Sequence, residues 1–285
     1  MPVLSIHGLR IVYHRFGEPG RAAPAVCLPS TGLSGLQWRR LAKMLSAAGR
    51  EVLTVDLIGY GESADWPRAR APFRTEYDVD VVEALLEQCV GPVHLVGHSY
   101  GGRLALALGL RRPERLRSLS LFEPTCFGVL RSTDDTIGTA ELAAYDRDER
   151  FLAKDFGGSE AWVERFVDYW SGSGTFAEFT PDERRRWLRS SQKMFEEVRE
   201  TALDSVPHTA YAQALGHVPL LLMSGANSTL AGRRCCEVLA EVMPRARHVE
   251  LANVGHMGPI LAGREVAELI AAHVNSLENG EPRCP

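Results

Sequence analysis

The chain has 285 residues, 45% of them apolar and 24% charged, the balance of an ordinary globular protein with material for one large core. A net charge of −4 gives no electrostatic support to a general nucleic-acid or anionic-membrane partner. No apolar run of membrane-spanning length and no signal-peptide pattern at Met1 to Ile11 is present, so no membrane association and a cytoplasmic location are expected.

In chain order, the first third alternates short β-rich runs with segments of helical periodicity. Ala25 to Leu28, Glu51 to Val55, Val93 to Val96 and Leu116 to Leu121 read as strands, and Leu36 to Ala48 and Val79 to Val90 read as helices. The same alternation returns late, with strands at Val218 to Met223 and Arg247 to Leu251 and helices at Gly232 to Val242 and Ile260 to Val274. This predicts an α/β fold, a mostly parallel sheet with helices on both faces. Between the two halves, residues 131–215 hold 17 acidic against 11 basic residues and 12 of the chain's 22 aromatics. Glu160 to Trp170 and Pro181 to Glu200 read as helices there, split by a flexible SGSGT stretch at Ser171 to Thr175. The expected organisation is a core of 1–130 and 216–285 with an inserted helical lid, or cap, at 131–215.

Six cysteines, Cys27, Cys89, Cys126, Cys235, Cys236 and Cys284, show no metal-ligand spacing. Reduced, buried thiols are expected, and the adjacency of Cys235 and Cys236 is read as chance rather than a redox switch. No Walker motif, dinucleotide fingerprint or HExxH occurs, so no cofactor and no metal are expected.

The segment that carries chemistry is PVHLVGHSYGG, Pro92 to Gly102. A strand runs into Gly97-His98-Ser99-Tyr100-Gly101, a G-x-S-x-G pattern, and an amphipathic helix follows at once. Small residues flank a serine on such a sharp turn because its backbone is strained and its neighbours pack closely. The turn projects the hydroxyl at a helix N-terminus, where the dipole and free N–H groups favour negative charge. Ser99 is therefore the candidate nucleophile.

With DLIGYGES at Asp56 to Ser63 and Gly255-His256-Met257-Gly258 after a late strand, the chain resembles the α/β-hydrolase superfamily over nearly its whole length. That resemblance implies an α/β-hydrolase fold and the order Ser, acid, His. His256 is the expected base, since serine needs an imidazole to take its proton and hand it to the leaving group. Asp56 is read as capping a turn with Gly59 and Gly61, and the run Arg184-Arg185-Arg186 as a solvated helix face.

The acid departs from the commonest family pattern, because the loop after Val218 to Met223 reads SGANST and has Asn227 and Ser228 where an aspartate usually stands. The alternative is Glu123, at the end of the strand following the nucleophile helix, where haloalkane dehalogenases and zearalenone lactonases take theirs. Pro124 predicts an extended backbone at Glu123. The rival is a Ser–His dyad helped by Asn227 or Ser228. Pro29-Ser30 replaces the family's His-Gly, and residue-by-residue matching places the oxyanion donors at the backbone N–H groups of Thr31 and Tyr100, with the Ser30 or Thr31 hydroxyl as a candidate third donor.

The expected function is a serine hydrolase cleaving a carboxylic ester of a small apolar or aromatic substrate, as a monomer or homodimer. The aromatic cap favours such a substrate and its acidity disfavours polyanionic ones. Alternatives are a lactonase on a cyclic ester, a C–C bond hydrolase, and a non-catalytic ligand-binding relative. Dehalogenase and epoxide hydrolase chemistry is disfavoured because those relatives need an aspartate where Ser99 stands.

Overall fold

A computed structural model describes residues 1–67, 70, 72–133, 136–146 and 151–278; Cys284 and the Tyr145 side chain lie outside the described set. Eight strands form one sheet: β1 (Val3–Ile6), β2 (Leu9–Phe16), β3 (Ala25–Leu28), β4 (Val52–Val55), β5 (Val93–His98), β6 (Leu116–Phe122), β7 (Leu220–Gly225) and β8 (Ala246–Leu251). Their order is β1-β2-β4-β3-β5-β6-β7-β8, with β1 and β2 antiparallel to their neighbours and all other pairs parallel. The six expected strands are present. The β1–β2 hairpin is an addition: β1 alternates exposed and half-buried residues, β2 buries, after Leu9, only the short run Ile11 to Tyr13 before its polar end, and the turn is made by His7 and Gly8 in left-handed backbone.

The helices are α1 (Arg39–Ala47), α2 (Thr75–Leu86), α3 (Tyr100–Arg111), α4 (Gly128–Arg131), α5 (Thr136–Asp146), α6 (Glu160–Ser171), α7 (Pro181–Arg189), α8 (Ser191–Ala202), α9 (His208–Leu215), α10 (Leu230–Val242), α11 (Gly258–Leu261) and α12 (Gly263–Ser276). Successive strand residues face opposite sides, which divides the core in two. Ala25, Cys27, Val96 and Leu221 pack with α1 and α12, through Leu41, Leu45, Ile270 and Val274. Val26, Leu28, Leu95 and Leu222 face the other side, toward α2, α3, α10 and the aromatics of the 128–215 segment. Each fully buried Val or Leu is worth about 1.5–3 kcal/mol against exposure.

Between β6 and β7 the described residues contain only helices and turns. Pro181 to Glu200, expected as one helix, is two. A Thr180/Glu183 capping box starts α7, which buries none of its residues. At Ser190 the chain turns, Ser191 donates its hydroxyl to the Gly158 carbonyl at 2.6 Å, and α8 runs inward with Lys193, Met194, Phe195 and Glu197 all buried. Ile260 to Val274 likewise splits into α11 and α12 at Ala262. The second helix begins and ends earlier than Val79 to Val90, because Val90 is 90% exposed and its predecessors close in turns. The five described cysteines are free and buried.

Candidate active site

β3 lies beside β5 with Leu28 level with Gly97, so the loop after β3 meets the turn after β5. Ser99 occupies that turn at φ 53°, ψ −116°, immediately before α3. A Cβ on Gly97 would come 2.5 Å from the Gly101 carbonyl oxygen, and one on Gly101 would come 2.4 Å from the Leu28 oxygen. Neither backbone atom can yield, so both positions require glycine. Three hydrogen bonds hold the strained serine: its N–H donates to the Phe122 carbonyl at 2.9 Å, and its own carbonyl accepts from Arg103 at 3.0 Å and Thr125 at 3.3 Å.

Four described non-glycine residues have left-handed backbone, His7, Ser99, Glu123 and Asn253, and two of them are candidate catalytic residues. Glu123 is therefore not extended as Pro124 predicted: its φ is 42°. Its N–H donates to the Met223 carbonyl at 3.0 Å, and Pro124 packs against Gly102, where a Cβ would meet it at 2.9 Å. The bend aims a fully buried carboxylate back across the strand ends. His256 Nδ1 donates to Glu123 Oε2 at 2.6 Å. Glu123 also accepts from the Gly225 N–H at 2.8 Å on Oε1 and from the Ser228 hydroxyl at 2.6 Å on Oε2. Ser228, standing where many relatives carry their acid, thus serves Glu123 as a donor, and it is Glu123 that touches the imidazole.

With Nδ1 donating to the carboxylate, Nε2 is left as the acceptor for a serine proton. Ser99 and His256 are 5% and 3% exposed. The Ser99 hydroxyl makes no hydrogen bond to His256 among the described residues. In substrate-free enzymes this hydrogen bond is often long and tightens with substrate.

Two neighbours of His256 escaped the sequence reading. Trp170 of α6 lies against the imidazole, ring centroids 4.1 Å apart and planes tilted by 33°. His98 donates from Nε2 to the His256 carbonyl at 2.8 Å and accepts at Nδ1 from the Gln37 amide at 2.9 Å. Burial, then the nearby His256, pushes the His98 pKa well down, so it is a neutral strut rather than a second base. Gln37 also accepts from the Ser30 N–H at 2.9 Å, which links the loop after β3 to the histidine loop. A glutamine near a strand end carries no sequence signal for such a role.

Backbone N–H groups of Thr31 and Tyr100 make no hydrogen bond among the described residues. The Thr31 hydroxyl, considered above as a third donor, is already committed to the carboxylate of Glu197 on α8. Trp187 lies 2.7 Å from where a Gly32 Cβ would stand, so the loop must have glycine there, at φ 76°. Asp56 caps its turn through the N–H groups of Gly35 at 2.8 Å and Glu62 at 2.9 Å. Phe151 and Phe166 stack on Trp162 and Phe195 meets it edge-on, so these aromatics fill the core of the segment that carries them. No helix among the described residues is long and apolar enough to cross a membrane.

A family model described as alpha/beta hydrolase family matches residues 25–269. Pimeloyl-[acyl-carrier protein] methyl ester esterase of Aeromonas hydrophila is 28% identical over 267 residues, 92% of this chain and 98% of that protein. Rhodomycin D methylesterase of Streptomyces sp. strain C5 is 27% identical over 280 residues, 91% and 93% of the two chains. Among solved structures, a meta-cleavage product hydrolase from Pseudomonas fluorescens IP01 superposes with a TM-score of 0.71 at 20% identity, covering 97% of this chain and 98% of its own.

Proposed function

The chain belongs to the alpha/beta hydrolase family, and from that premise we propose that it is a serine hydrolase cleaving a carboxylic ester of a small apolar or aromatic substrate through an acyl-enzyme. The observation that carries this reading is the 2.6 Å hydrogen bond between His256 and the buried Glu123, next to a serine on a strained strand-to-helix turn.

The Ser99 hydroxyl attacks the ester carbonyl while His256 Nε2 takes its proton. Glu123 holds the tautomer and offsets the imidazolium charge. The developing oxyanion is met by the N–H groups of Thr31 and Tyr100, each such donor worth about 10²–10³-fold in rate. His256 returns the proton to the departing alcohol, leaving an ester on Ser99. Water, activated by the same imidazole, releases the acid and restores the serine. Residues 131–215 act as a lid whose Trp170 covers the histidine and favours apolar substrate surface. Methyl ester cleavage by two relatives of nearly full-length coverage supports the ester reading. The same residues would open a cyclic ester, and the family takes its acid from the Glu123 position in some lactonases, so lactone cleavage is the second reading.

Fluorophosphonate labelling of the folded protein, followed by turnover on chromogenic esters of varied acyl length beside a lactone panel, tests this. Labelling at Ser99 with ester turnover is expected. An unlabelled Ser99 in folded protein would point instead to a non-catalytic ligand-binding relative.

A further inference from the structure

A lysine and a glutamate four apart on a helix ordinarily form a solvated pair, yet Lys193 and Glu197 of α8 are 5% and 0% exposed. Glu197 accepts from the Thr31 hydroxyl on one carboxylate oxygen, and from the Tyr60 hydroxyl at 2.9 Å and the Lys193 ammonium on the other. Lys193 also donates to Asp78 at 2.9 Å, and its nitrogen lies 4.0, 4.6 and 5.0 Å from the ring centroids of Tyr60, Phe73 and Tyr100. Asp78, fully buried, accepts in turn from the Tyr100 hydroxyl at 3.1 Å and the Ile58 N–H at 3.1 Å.

The cluster therefore grips the side chains of the two residues whose backbone N–H groups face the reacting carbonyl. Thr31 is held by Glu197, Tyr100 by Asp78, and Lys193 joins the two carboxylates. One cation between two buried carboxylates is an expensive arrangement, because desolvation opposes every charge in it. Packing α8 onto the core needs only apolar contacts, which Met194, Phe195 and Val198 already supply. What charge-assisted hydrogen bonds add is direction, and an oxyanion hole needs donors fixed before charge develops.

We infer that Glu197 and Lys193 are positioning residues for the oxyanion hole, setting the spacing of the Thr31 and Tyr100 N–H groups from a helix whose hydrogen bonds through these two side chains go to Thr31, Tyr60 and Asp78 and to neither Ser99 nor His256 among the described residues. The inference rests on the reading that those two N–H groups bind the oxyanion.

The test compares Glu197→Gln, Thr31→Val, Thr31→Ser and the double variant Thr31→Val/Glu197→Gln on a p-nitrophenyl ester. An alkyl boronic acid, whose tetrahedral adduct on Ser99 places an oxygen in the hole, supplies an inhibition constant for each. Glu197→Gln and Thr31→Val are each expected to lower kcat about tenfold or more, less than complete loss of a donor, with KM nearly unchanged and boronate inhibition weakened by the same factor. The double variant is expected to be no worse than the poorer single one, because both break one link. Thr31→Ser restores most of the turnover missing in Thr31→Val. If Glu197→Gln does not fold, Tyr60→Phe, which removes one hydroxyl from Glu197, carries the test with a smaller fall in kcat and in boronate affinity. Variants that lose thermal stability while kcat and boronate inhibition stay native would reduce the cluster to a packing device and overturn the inference. Turnover by Ser99→Ala, or a native Ser99 that a fluorophosphonate leaves unlabelled, would remove the underlying reading instead.

Discussion

The catalytic sheet and the helical segment between β6 and β7 each deliver a fully buried carboxylate, by opposite means. Glu123 is placed by backbone: a left-handed residue at the end of β6, pinned by the Met223 carbonyl and followed by Pro124 against Gly102. Glu197 is placed by side chains alone, through Thr31, Tyr60 and Lys193 at sequence separations of 166, 137 and 4. Backbone placement leaves local signs in sequence, such as a proline after Glu123 and glycines around Ser99. Side-chain placement leaves none, because a glutamate on a helix looks the same whether it meets water or a threonine hydroxyl.

If the sheet holds the chemistry and the inserted helices tune it, substitutions should divide accordingly. The largest effect belongs to Glu123→Gln, which is expected to lower kcat by about 10⁴-fold with the fold intact, whereas Asn227→Ala changes little. The reverse result would move the acid to the β7 loop and break the comparison. Next, Lys193→Met leaves Asp78 and Glu197 buried without their cation and is expected to cost about 3–5 kcal/mol in denaturant unfolding. The exposed Arg264–Glu268 pair gives the control, since Arg264→Met should leave the unfolding midpoint unmoved. Trp170→Ala removes the π face beside His256 and should lower kcat/KM by about 3- to 30-fold, the range expected when an imidazolium is deprived of a cation–π partner.

The smallest effect is on pH-dependent stability. Burial pushes the pKa values of His94 and His273 down to about 4, against 6.5 for the free side chain, and that of His98 well down. Between pH 6.5 and 4 the unfolded chain takes up protons that the native state refuses, so this stabilisation is complete above pH 6.5 and lost as pH falls toward 4. Thermal midpoints measured across that window should fall with acid, and His94→Gln should flatten the slope. A midpoint that rises on acidification would contradict the assignment.

How much was legible in the sequence follows the same division. The parallel strands were readable because strands buried on both faces are nearly continuous apolar runs, as in β3, β4, β5 and β7, where every residue is buried. The β1–β2 hairpin, at the sheet edge, has only short apolar stretches broken by Ser5, Arg10, His14 and Arg15, too brief to read as a buried strand. Ser99 and His256 are proposed on motif order, and Glu123 on the carboxylate missing from the SGANST loop; the structure brings His256 within hydrogen-bond distance of Glu123. Its backbone was misjudged because the preference of a residue before proline was overridden by the Met223 hydrogen bond and the close approach of Gly102. The Gln37–His98 strut, Trp170 and the Lys193–Glu197 cluster were invisible, since each depends on segments 61 to 166 residues apart meeting in space.

The most direct test of the account is the covalent intermediate. Protein mixed rapidly with a p-nitrophenyl ester, quenched in acid within the first turnover and digested for mass spectrometry should carry the acyl group on the peptide containing Ser99, and Glu123→Gln should form that adduct far more slowly. Full ester turnover with no acyl group on Ser99, or with the group on another residue, would contradict it.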